Sequence, residues 1–79
     1  MLTNYKTPKH KTLVERKLAT FAPSAEISHV FPLETAPMYG LQDYMVVVIE
    51  QTPTSPRFVA IHTRVVADMG LCDMKVVVE

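Results

Sequence analysis

His29, His62 and Cys72 are the side chains whose types could do metal or nucleophilic chemistry, with Asp68 and Asp73 as further candidate ligands. Zinc requires three or four nitrogen, sulfur or oxygen ligands converging on a tetrahedron. None of these residues shows C-x-x-C, H-x-x-x-H or H-E-x-x-H spacing, so neither a metal nor a cofactor is expected. The plain reading of the two histidines is a pair of half-buried or surface imidazoles, and of Cys72 a small apolar residue. A nucleophilic role for Cys72 is disfavoured by the adjoining Asp73, because a neighbouring carboxylate opposes the reactive thiolate. Gly40 and Gly70 are isolated, so no glycine-rich loop can cradle a phosphate.

The best enzymatic reading is a metal-free ribonuclease. Phe58, His62 and Arg64 are spaced to share one face of a strand. There an imidazole could move a proton beside a cation that holds the phosphate. A formal net charge of zero fits such an enzyme poorly, and no catalysis is expected.

Charge is placed unevenly. Lys6, Lys9, Lys11, Arg16 and Lys17 face only Glu15 within residues 1–20, a net +4, and the remainder of the chain carries the balancing −4. A basic terminus of this kind can meet phosphate, and Tyr5 could stack on a base. Nucleic-acid binding through Tyr5, Lys6, Lys9, Lys11, Arg16 and Lys17 is therefore the alternative to a protein-binding role. No helix-turn-helix, zinc finger or RNA-recognition aromatic motif supports it.

The elements that would position these residues follow from punctuation and period. Residues 1–11 read as a flexible basic arm, with Pro8 preventing an early helix. Thr12 and Glu15 have the spacing of a capping box, and Val14, Leu18, Phe21 and Ala22 then fall on one helical face before Pro23 ends the segment. Residues 26–31 can form a strand, and residues 32–40, with two prolines among them and Gly40 at the end, read as a loop. Tyr44–Gln51, Arg57–Ala67 and Asp73–Glu79 are rich in β-branched residues and separated by turn chemistry, so they read as a meander of strands. The expected fold is α+β: one short N-terminal helix packed on a three- to four-stranded antiparallel sheet, in a single small domain over residues 12–79.

Size sharpens the argument. A chain of 79 residues buries only about 60% of the surface its unfolded form exposes, so small domains lean on disulfides, metals or partners. One cysteine cannot make an internal disulfide, which points to a reducing, cytoplasmic compartment. The first residues are polar and basic rather than an apolar leader, and the longest apolar run, Met45–Ile49, is far below the roughly 20 residues of a membrane span. Composition, at 48% apolar and 20% charged, is that of a folded chain.

Tyr44–Ile49 is apolar on both faces of its strand, yet one short helix can cover only one face of a sheet. Either an apolar patch is exposed or another chain covers it. The expectation is a non-catalytic protein–protein interaction module, a small adaptor or an inhibitor of a larger complex, that forms a homo-oligomer or binds another protein. A phage or mobile-element origin suits such a chain, and no membrane role is expected. The contact residues expected are Met38 and Tyr39, in the loop before the central strand, and Val76 and Val78 on the last strand, whose edge could accept another strand.

Overall fold

A computed structural model describes residues 2–34 and 40–79. In chain order these form β1 (Leu2–Thr3), α1 (Pro8–Phe21), β2 (Ala25–Leu33), β3 (Leu41–Gln51), β4 (Pro56–Val66), a 3₁₀ turn (Ala67–Met69) and β5 (Leu71–Val78). The strands lie in one sheet in sequence order, β1-β2-β3-β4-β5. The last four are antiparallel neighbours, and the two-residue β1 adds in parallel at the outer side of β2. The expected class holds: an α+β domain, one helix on a four-stranded antiparallel sheet.

The helix starts four residues before the expected capping box, and the reason is Pro8. Thr7 is the N-cap, its side chain accepting the His10 N–H at 3.1 Å, and Pro8 occupies the first turn. At that position proline loses nothing, since its missing N–H would have had no helical partner. The Thr12 hydroxyl instead donates back to the Pro8 carbonyl. The expected boundary after residue 11 therefore coincides with no structural break, because the helix runs through it. Residues 2–4 are tied to β2, with the Asn4 N–H donating to the Val30 carbonyl. Pro23 follows the end of α1 as expected, and the buried stripe is Leu13, Val14 and Leu18, while Phe21 is exposed.

β2 is longer than its sequence suggests. It continues through Pro32 and Leu33, residues expected to lie in a loop. Proline is tolerated in a strand where its missing donor faces no partner, and among the described residues the outer neighbour of β2 is β1, which stops beside Val30. At the far end of the chain Gly70 adopts φ 65° to turn into β5, a conformation that favours glycine.

Alternation along the strands sets the core. Tyr44, Val46 and Val48 of β3 point to the side covered by α1, with Val30 from β2 and Val59, Ile61, Thr63 and Val65 from β4. All are buried, and they meet Leu13, Val14 and Leu18 of the helix. No helix among the described residues is long and apolar enough to cross a membrane.

Candidate functional site

The odd-numbered residues of β3, Asp43, Met45, Val47 and Ile49, point away from α1. Register places Phe31 beside Met45 and His29 beside Val47 on β2. On β4 it places Arg64, His62, Ala60 and Phe58 beside Asp43, Met45, Val47 and Ile49 in that order. No other described element packs over this face. α1 contacts β4, β5 and the 3₁₀ turn from the opposite side. Phe58 is 62% exposed and Phe31 42%, and the imidazole of His29 stacks on the Phe31 ring at 5.9 Å. Met45, Val47 and Ile49 are only partly shielded, and that shielding comes from the flanking side chains of their own sheet.

One end of the face is polar. The Arg64 guanidinium donates to both carboxylate oxygens of Asp43, Nε to Oδ1 at 2.9 Å and Nη2 to Oδ2 at 3.1 Å. His62 Nε2 lies 3.2 Å from Oδ2 of the same group. The Arg64 hydrogen bonds, more than any other influence, hold the Asp43 carboxyl below its ordinary range. The next strand adds Asp73 beside Arg64 and Lys75 beside His62. The cluster is close to charge balance. The ribonuclease spacing is met geometrically, since Phe58, His62 and Arg64 do share this face. A carboxylate-oriented imidazole could move a proton, but the guanidinium that would hold a phosphate is engaged by Asp43. Asp43 went unnoticed in the sequence. Its signal was an aspartate at the head of an apolar strand, a position the type rarely occupies without a partner.

The remaining candidates are scattered. Cys72 lies on the helix side of β5, with the sheet between it and His62, and burial lifts its thiol to about 11. Among the described residues no three His, Cys, Asp or Glu side chains come together as metal ligands. Val76 and Val78 are exposed on β5, 38% and 62%, whereas Met38 and Tyr39 lie outside the described residues.

Of the basic residues, Lys6, Lys9, Lys11 and Arg16 are exposed and Lys17 is half-buried. Lys9 and Arg16, seven apart, share one flank of α1, while Lys11 falls on the other side of the buried stripe. The first turn contains no acid, an arrangement that costs about 0.3–1 kcal/mol per cation against the helix dipole. Tyr5 is not on offer for stacking. Its ring packs at 5.6 Å from that of Tyr44, its hydroxyl is buried without a hydrogen-bond partner, and burial pushes its pKa to about 12.

Beneath Tyr5 lies a network that sequence reasoning missed. The Tyr44 hydroxyl accepts the Lys6 N–H at 2.9 Å and meets His10 Nδ1 at 2.7 Å. A neutral imidazole with its proton on Nε2 accepts the hydroxyl hydrogen at Nδ1, and the other tautomer reverses the roles. Burial, then the nearby Lys6 charge, favours that neutral form. This bond fastens the first turn of α1 to the sheet, a structural duty. An open groove of about 510 Å³ between α1 and β2, flanked by Glu15 and Glu26, gathers no group suited to chemistry.

These features define a class: a small α+β domain with one sheet face closed by its helix and the other covered by no described element. The chain matches no protein-family model, no curated protein and no solved structure. Its functional reading therefore rests on its own residues.

Proposed function

We propose that this protein is a non-catalytic protein-interaction module, an adaptor or inhibitor in kind, that self-associates and receives protein surfaces on the open face of its sheet. The observation that carries the reading is the row Phe31, Met45, Val47, Ile49 and Phe58, apolar, contiguous and overlain by no described element. Contiguous apolar surface on a small domain marks an interaction site, and aromatic and methionine side chains are the types enriched at interface centres. The charged cluster of Asp43, His62, Arg64, Asp73 and Lys75 supplies a polar rim.

The test is Val47→Lys, a charge at the centre of the open face. Apolar-dye fluorescence is expected to fall relative to the unaltered protein, with far-ultraviolet circular dichroism unchanged, and light scattering of the unaltered protein at micromolar concentration is expected to give a mass above that of one chain. An unaltered protein that is a strict monomer and binds no dye defeats the reading.

A second reading is nucleic-acid binding at the start of α1, favoured by the exposed Lys6, Lys9 and Lys11 around a first turn without acids. Removing residues 1–11 would be a poor test, since it deletes β1, the N-cap and the first helical turn. The combined Lys6→Ala, Lys9→Ala and Lys11→Ala variant should instead abolish retention of a labelled single strand or duplex at low salt. Equal retention, or none by the unaltered protein, ends this reading.

A further inference from the structure

The outer edge of β5 faces no strand among the described residues, since the sheet order ends there. Such an edge presents a row of unsatisfied N–H and C=O groups, a template for another strand. We propose that it pairs antiparallel with β5 of a second copy about a dyad through Met74, so that Asp73 of each copy faces Lys75 of the other. This rests on the interaction-module reading and names its partner and register.

Geometry narrows the registers. In a two-fold antiparallel pair every second residue turns its backbone groups toward the partner, and outward groups must meet outward groups. The dyad therefore passes through a residue, not between two. Through Asp73 it sets aspartate against aspartate; through Lys75 it sets lysine against lysine. Through Val76 it sets Asp73 against Glu79, and through Cys72 it sets Asp73 against Leu71. Only a dyad through Met74 gives both charges an opposite partner. The same register sets Cys72 against Val76, apolar against apolar.

The match continues into the sheet. Asp43, Arg64 and Asp73 lie side by side across β3, β4 and β5 on the open face. Lys75 of the second copy would be the next member, so charge would alternate in sign across the junction. Lysine in the middle of an edge strand ordinarily repels other strands. With Asp73 two residues away, it becomes a code that admits this strand and rejects those without a matching acid. The extra residue at Val77, where the register with β4 shifts, ends the regular stretch and limits pairing to the strand's first part. Joined in this way, two open faces would form one surface twice as wide on the same side.

The experiment uses the intact protein. Lys75→Asp is the cleaner single reversal, because its neighbour in its own chain is His62, while Asp73→Lys also confronts Arg64. Either reversal is expected to weaken dimerisation by about tenfold or more, and Asp73→Lys with Lys75→Asp together to restore it. Val76→Cys faces Cys72 of the second copy and should yield, on mild oxidation, a covalent dimer whose linkage peptide joins residues 72 and 76. A dimer indifferent to both reversals but split by Val47→Lys packs through its open face. That result overturns the edge register and keeps the interaction reading. A monomer that still binds apolar dye overturns the edge pairing alone, and a monomer that binds none overturns both.

Discussion

Val46 and Val47 are neighbours of the same type on the same strand, yet Val46 has no exposed surface and Val47 is only partly shielded. The difference is the face. One side of the sheet is closed by Leu13, Val14 and Leu18 of α1, and the other, among the described residues, by nothing but its own side chains. A covered face turns apolar area into stability. An uncovered one leaves the same area in water, at a cost in solubility. Charging each valine in turn breaks or sharpens that contrast most severely. Val46→Asp buries an unpaired charge and should remove several of the roughly 5–15 kcal/mol that hold a small domain, leaving the chain unfolded by circular dichroism. Val47→Asp should cost less than about 1 kcal/mol in urea unfolding. Equal losses would mean that the two faces are equally closed.

The next contrast lies one step along the strand, where Tyr44 and Asp43 each carry a polar network on opposite faces. Tyr44→Phe strips the partner from the Lys6 N–H and from His10, beneath the ring of Tyr5. It should cost about 1–2 kcal/mol in urea unfolding, and the loss should not change with salt. A neutral substitution would show that the hydroxyl network does not fasten the helix to the sheet.

Much of this was legible in the chain, and what was not has physical causes. The meander and its faces followed from β-branched runs cut by Thr52–Ser55 and Gly70, because strand alternation is a strict period of two. That Tyr44–Ile49 is apolar on both faces was also plain, but which face the helix takes was not, since both present valines. Pro8 and Pro32 misled for one reason. Proline breaks a helix or strand in its interior, whereas at a helix N-terminus and on a nearly free sheet edge its missing N–H costs nothing. β1 is two residues long and its partner lies far along the chain, so no local pattern announces it. Of the open-face cluster, His62 and Arg64 were visible by spacing. Asp43 was not, because its pairing depends on the register between β3 and β4.

On the open face, Asp43→Asn removes the acceptor of a two-pronged guanidinium contact. Half of the Arg64 side chain faces water, although the Asp43 carboxylate is only 6% exposed, so solvent screens part of the contact and the cost should stay below that of Tyr44→Phe. It should shrink as salt rises, unlike the Tyr44→Phe loss. A large, salt-independent cost would place Asp43 in the closed core instead.

The smallest effect separates the two faces by pH. His10 belongs to the closed side, where burial and then Lys6 hold its pKa below the ordinary 6.5. A group that titrates lower when folded binds fewer protons in the native state than in the unfolded one, so stability rises with pH across that interval. The contribution of His10 is whole above 6.5 and fades as pH falls from there through the folded value. Asp43, on the open side, is held below its ordinary 3.8 chiefly by the Arg64 hydrogen bonds. Its contribution is whole above 3.8 and is lost only as pH falls through the still lower folded value. Acid should therefore loosen the closed face first. Urea midpoints followed downward from pH 7.5 should decline just below 6.5, by less than either substitution above, and His10→Gln should flatten that decline while Asp43→Asn leaves it in place. If His10→Gln keeps the full slope and Asp43→Asn removes it, the proton-sensitive contact lies on the open side and the assignment of the two networks to two faces is reversed.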